Sequence, residues 1–509
     1  MIFEFIANVA GQLKLSYTIN INRFSMKKHL FTLSVLLLGI VSTSSVRAQE
    51  VWSLQRCIGF ALDQNLTIKQ GQATLKTAEL TQSQAKAARL PNIGVSSNVG
   101  RQFGRTIDPS TNGFINQAVT TNSINLNASV PLYNGGQINQ SINQAKIDAN
   151  AAAADLEQTT NSLALQVASA YLTVLLNQEQ LQNTKNQVEL SRKQLINTQK
   201  LIDAGNLPLV DRYNVEAQIA REEQNVVTAE SNLDLSFLSL KQLMQMEPDF
   251  PLQLESPDVS TDNLDILTTM TLAGVYETAK TTQPSIRASE LRVKSAEVGI
   301  KVARAGYMPS VNLFGSMSGF YSSQGRNYAV DSTVAPVTGS TRFFSIAGSP
   351  ATPVNEIFPV IREEKAKYFP QLNNSFGQSF GLQINVPIYQ NGRVSLAVER
   401  AKLSVLNAQI QSNQVQQQLK NDIQTALANA RNAKKQLEAS QKTYDATQLA
   451  FTNTEKRHAI GAVNSLELNT SKTNFDNAVN NRTVARYNYV FRAKILEFYM
   501  GKPLLMEKK

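Results

Sequence analysis

A chain of 509 residues can bury a large core, but only 17% of this one is charged, and it is rich in Asn, Gln, Ser, Thr and Ala. Such side chains suit long wetted surfaces better than one thick apolar core. The formal charge of +10 is scattered, with no basic run interleaved with aromatics, so nucleic-acid binding gains no support. The single cysteine, Cys57, excludes a disulfide within one chain.

Residues 1–25 do not look like a targeting signal and are read as an upstream extension, with Met26 as the expected start; a long n-region beginning at Met1 is the alternative. Residues 26–48 read as a secretory signal: Met26-Lys27-Lys28 is basic, Leu33 to Val41 is apolar, and Ala48 is the small residue that precedes cleavage. The apolar stretch is too short for a permanent membrane helix. Loss of 1–48 removes Lys14, Arg23, Lys27, Lys28, Arg47 and Glu4, leaving +6. Cys57 lies well past the cleavage point, so no lipid-acceptor cysteine is expected at the mature N-terminus. It reads as a small apolar residue on a face shared with Leu54, Ala61 and Leu62.

Beyond the signal the chain reads as two copies of one unit, 49–247 and 271–505, joined by a linker at 248–270 that holds Pro248, Pro251 and Pro257. Leu54, Ala61, Ile68 and Pro91 match Leu272, Ala279, Ile286 and Pro309 at an offset of 218. Val130-Pro131-Leu132-Tyr133 matches Val386-Pro387-Ile388-Tyr389 at 256, as do Gly205 and Gly461, Asp211 and Glu467, Leu240 and Leu496.

Each unit opens with a helix, Ser53–Leu90 or Leu272–Ala305, ending near a proline. Strands follow at about 92–133 and 309–389. Ile124, Leu126, Ala128, Val130 and Leu132 alternate with Ser123, Asn125, Asn127 and Ser129. Phe376 to Ile388 and Ile93 to Phe103 alternate likewise; Val311–Tyr321 does so less cleanly. Such alternation fits a soluble sheet with one wet face or a transmembrane barrel with one lipid face. Tyr133, Tyr307, Tyr321 and Tyr389 at strand ends suit interfacial aromatics. Four strands cannot close a barrel, and an open edge inside lipid is forbidden, so membrane-spanning strands would require several chains to share one barrel. An insertion at about 322–374 is expected to form a loop outside the cell.

Gln137–Ala204 and Arg393–Ile460 are each 68 residues without Gly or Pro. As single helices they would run roughly 100 Å. Short turns at Gly205-Asn206-Leu207-Pro208 and Gly461 send each rod back through a return, Leu209–Glu247 or Ala462–Met500, making helical hairpins over 137–247 and 393–500. Ile219, Val226, Leu233 and Leu240 recur every seven residues, as a coiled-coil seam requires. Phe475, Tyr489 and Leu496 keep that register in the second return, with Arg482 inside it.

Enzyme chemistry has little material. The processed chain holds one histidine and one cysteine at distant positions, and Asn134-Gly135-Gly136 lacks the spacing of a phosphate loop. Glu222-Glu223 and Glu363-Glu364 read as solvated faces. No cofactor or metal is expected.

Duplicated helix–strand–strand–rod–hairpin units behind a signal peptide resemble the TolC family of outer-membrane efflux and secretion channels. Ser53 to Leu62, Val130 to Gly136, Val386 to Gly392, the Gly461 to Phe475 hairpin and Arg486-Tyr487-Asn488-Tyr489 carry the resemblance. It implies a mainly α chain with a transmembrane β part. Three copies would form a twelve-stranded β-barrel in the outer membrane of a Gram-negative bacterium and a long periplasmic α-helical barrel. It further implies a passive exit duct serving a periplasmic adaptor and an inner-membrane pump of RND or ABC type, or, alternatively, a type I protein-secretion exit channel. A pore-less periplasmic coiled-coil adaptor is the alternative from another class; it explains the rods but not the strands.

Carried over from the family, Gly205, Asn206, Leu207, Gly461, Ala462 and Val463 are the tips that meet the adaptor. Asp211, His458, Glu467, Asn469 and Thr470 line the entrance. His458 stands where the family often has tyrosine, Val463 where it often has a basic residue, and Thr470 where it often has a second acid. Protonated His458 facing Asp211 is expected to help hold the entrance shut as pH falls.

Overall fold

The structure is a computed structural model describing residues 51–107, 112–256, 270–330, 337–344, 347 and 352–502. The expected extension and signal at 1–48, and 257–269 of the linker, lie outside the described residues.

The first unit contains β1 (Val51–Trp52), α1 (Leu54–Gln64), α2 (Leu66–Ala87), β2 (Asn92–Gln102), β3 (Arg105–Ile107), β4 (Phe114–Asn116), β5 (Val119–Asn134), α3 (Gln137–Asp203) and α4 (Val210–Leu243). After β6 (Gln253–Leu254) come α5 (Leu272–Thr282), α6 (Pro284–Arg304), β7 (Ser310–Ser322), β8 (Arg326–Val330), β9 (Val337–Phe344), β10 (Thr352–Phe358), β11 (Ile361–Lys365), α7 (Tyr368–Asn374), β12 (Gly377–Asn385), α8 (Arg393–Ala459) and α9 (Ser465–Tyr499).

Each opening helix is two helices rather than the one expected. Asn65 is extended at ψ 129° and its side chain caps Thr67 N at 2.8 Å, so it ends α1 and starts α2. Gln283, at ψ 123°, and Pro284 divide α5 from α6, because proline disfavours helical geometry in the residue before it. The insertion at 322–374 is likewise more than a loop: β8 pairs with β11, β9 with β10, and α7 leads back into the sheet.

Four strands form one antiparallel sheet in the order β12-β7-β5-β2. The less cleanly alternating strand is central, with β5 on one side and β12 on the other. Pairing of Leu126 with Val95 and Met317, and of Leu313 with Leu382, collects the apolar residues on one face. Away from its outward end that face is bare in the single chain; Phe380 is 90% exposed. The other face carries Ser96, Asn98, Asn125, Asn127, Ser316, Ser379 and Gln383.

The rods are anchored by a core built twice. Cys57, Ala61 and Ile68 pack with Leu163, Val167 and Tyr171. Val275, Ala279, Ile286, Leu419 and Ile423 pack as a second cluster at the matching offsets. Cys57 thus occupies the position that Val275 fills in the other copy, and burial pushes its thiol up to about 12, so it is inert packing. Tyr171 Oη donates to Glu255 O at 2.5 Å and to Trp52 O at 3.3 Å. Those bonds tie α3 to the parallel pair β1–β6, which joins the start of the described chain to the linker.

Candidate functional site

The two hairpin turns end their rods identically. Gly205 N–H donates to Ile202 O at 2.8 Å and Asn206 N–H to Leu201 O at 2.8 Å. Gly461 and Ala462 repeat this onto His458 O at 2.9 Å and Arg457 O at 2.8 Å. Both are Schellman closures, and both put glycine in the left-handed region, at φ 76° and 71°. Gly205, Asn206, Gly461 and Ala462 are exposed, while Leu207 is half-buried and Val463 buried. Val463 therefore shapes the second tip from inside.

Asp211 and Glu467 occupy the first turns of α4 and α9, where the helix dipole favours negative charge. Asn464 caps Glu467 N at 2.9 Å. Arg457 Nη1 lies 3.3 Å from Glu467 Oε1, but both side chains are more than half exposed, so the pair contributes little. Asn469 and Thr470 differ in direction. Thr470 bonds to its own helix at Leu466 O, whereas Asn469 Oδ1 accepts from Gln194 of the other hairpin at 3.1 Å.

His458 is neither solvated nor readily charged. It is 6% exposed, with Nε2 3.4 Å from Ser465 Oγ. Burial lowers its pKa below the ordinary histidine range, and the charge of Asp211 only partly opposes this. The charge of Asp211 does reach His458, but burial is the larger influence, and it favours the neutral ring in this packing.

A polar seam that the sequence reading missed runs up α9. Lys472 Nζ donates to Glu222 Oε1 at 2.7 Å and to Asp476 Oδ2 at 2.7 Å, with Lys472 only 1% exposed. Glu222, on α4, is buried rather than solvated; Gln218 Nε2 also donates to it at 2.8 Å, and its Oε2 has no partner among the described residues. Burial raises the Asp476 carboxyl above its usual range against the pull of Lys472. Farther along, Asn183 Nδ2 donates to Thr483 Oγ1 at 3.2 Å, and Arg486 pairs with Glu179. Residues 469, 472, 476, 483 and 486 form one stripe facing the first hairpin. Ala478 and Glu216 occupy the repeat positions of Glu222 and Lys472, so the buried cluster belongs to one seam only. Lys472 recurring with buried Ser465 and Leu468 at helical spacing was the available signal.

Arg482 sits in the apolar register because its guanidinium lies 3.5 Å over the Tyr444 ring on α8. Among the described residues, no helix is long and apolar enough to cross a membrane, and no group of three or more His, Cys, Asp or Glu could hold a metal ion.

Comparison with known proteins gives a consistent relationship. The family described as Outer membrane efflux protein matches residues 57–244 and 275–502, the two units in turn. Outer membrane efflux protein BepC of Brucella suis biovar 1 is 21% identical over 449 residues, spanning 87% of this chain and 84% of that protein. Outer membrane protein TolC of Escherichia coli is 22% identical over 341 residues, spanning 67% of this chain and 61% of that one. The structure of the outer membrane protein VceC from Vibrio cholerae superposes with a TM-score of 0.65 at 15% identity, covering 89% of this chain and 97% of that chain, a likeness of fold. The chain belongs to the outer membrane efflux protein family.

Proposed function

We propose that this outer-membrane efflux channel works as a homotrimer, the passive exit duct of a tripartite pump. Three four-stranded sheets would close a twelve-stranded barrel, and three pairs of hairpins would wall a periplasmic tunnel. The observation carrying this reading is the sheet itself. It has an apolar face, a polar face and two edges, β2 and β12, that are unpaired among the described residues, and it sits at the end of the rods opposite the hairpin tips.

Gly205, Asn206, Gly461 and Ala462 are exposed at the tips and are proposed to meet the adaptor, with Leu207 and Val463 holding the turns in shape. Asp211, Glu467 and Asn469 are proposed to line the entrance with His458 packed behind them. Thr470 donates its hydroxyl proton to Leu466 O of its own helix. No enzymatic step is proposed: the energy would come from the inner-membrane pump that the adaptor connects.

Conductance of the purified protein in a planar bilayer tests this. Discrete steps from a species that cross-links as a trimer are expected, with larger steps after Asp211→Ala and Glu467→Ala loosen the entrance. Absence of conductance from parent and variant alike would remove the pore and leave a coiled-coil adaptor as the better reading.

A further inference from the structure

The four barrel strands β2, β5, β7 and β12 contain one charged residue, Arg101. It is one position short of the outward end of β2, the end away from the rods. Its pairing partner is Thr120, the next same-face pair outward from Val99 opposite Asn122. That places it on the apolar, lipid-side face with Ile93, Val95 and Val99. A cation there is tolerated only near headgroup level. Its guanidinium lies 5.4 Å from the Phe103 ring, and it has no carboxylate partner among the described residues.

Helix α7 covers the same face at the same end. A Cβ on Gly319 would touch Leu372 of α7, which fixes the side of the sheet on which the helix lies. Tyr368 Oη donates to Asn122 Oδ1 at 2.6 Å, and its ring is 4.8 Å from that of Tyr321. Phe369 stacks edge-on against Tyr368 yet remains 66% exposed. Lys367, the residue before the helix, is exposed and also lacks a carboxylate partner among the described residues. Through Tyr368 and Asn122, α7 sits over the inner strands β5 and β7 and away from the two edges that a neighbouring protomer would cover.

We infer that this outward rim, made by Arg101, Phe103, Lys367, Tyr368 and Phe369, binds the phosphate of an anionic lipid headgroup in the outer leaflet. The aromatic rings sit at the interface, where amphipathic rings are favoured. Arg101 and Lys367 supply the positive charge that the rest of the sheet lacks. Two cations that have no carboxylate partner among the described residues, beside exposed rings on the lipid-side face, complement a phosphorylated lipid, and no acidic residue of the four strands competes.

The test is native mass spectrometry of the intact full-length assembly in detergent, titrated with a bisphosphorylated glycolipid of the lipid A type and with its dephosphorylated form. The parent should retain the phosphorylated lipid in preference. Arg101→Gln with Lys367→Gln should weaken that binding by about 5-fold per charge removed and leave the dephosphorylated lipid unaffected. Arg101→Lys with Lys367→Arg should keep it. Equal binding of the two lipids by the parent overturns the inference whether or not the variants assemble, and so does an assembled double Gln variant that keeps the parent's affinity.

Discussion

Lys472 is the side chain on which most depends. An ammonium placed between two hairpins and held by two carboxylates is a poor source of net stability, but removing it strands both anions. Lys472→Ala should therefore destabilise the assembly by about 3–5 kcal/mol, read from denaturant unfolding. Replacing Lys472, Glu222 and Asp476 together with Met, Leu and Leu should recover most of the loss. If the triple variant were no better than Lys472→Ala, the cluster would owe its importance to something other than buried charge. His458 gives a second residue-scale expectation. Its folded-state pKa is depressed, so as pH falls below about 6.5 the unfolded chain takes up a proton that the packed tip resists, and tip stability falls with it. Hydrogen-exchange protection of the second tip, corrected for the intrinsic pH dependence of exchange, should weaken between pH 7 and pH 5, and His458→Gln should flatten that dependence. Unchanged protection across this range would show that His458 stays neutral or that the tip does not depend on it.

Elements were legible in the sequence to the extent that one residue or one period decides them. The rods ended at Gly205 and Gly461 because a left-handed closing residue favours glycine. No heavy atom outside the glycine and its chain neighbours lies within 4 Å of a Cβ added at either, so Gly205→Ala or Gly461→Ala should cost only the backbone term, about 1 kcal/mol. Thermal unfolding should show the two effects to be similar; a far larger one would mean that the turn is held against a neighbouring chain. The strands and their wet and dry faces followed from period-two alternation. The breaks at Asn65 and Gln283 were harder to see, because each interrupts the helix at one residue without disturbing the apolar spacing on either side. Glu222 and Lys472 were misread or passed over for a related reason. A charged side chain on a helix is usually solvated, and only the neighbouring hairpin reveals that these two are enclosed. The burial of His458 comes from packing that no single-helix pattern records.

At the scale of the molecule, the duplication means that one core design was written twice and then edited. Cys57 and Val275 fill the same buried position, whereas Glu222 and Lys472, against Ala478 and Glu216, make a buried ion pair that the repeat positions cannot form. The two unpaired sheet edges carry a different consequence. A lone copy can complete its hairpins, its two anchoring cores and the pairing of β2 with β5 and β12 with β7, but under the proposed assembly the outer edges of β2 and β12 would find partners only on other copies. In a trimer the last part of folding would then be a third-order event, and its completeness would be set by mass action. Dilution alone should leave chains with finished rods and unfinished strands, and their bare hydrogen-bonding edges would be the surface most prone to wrong pairing.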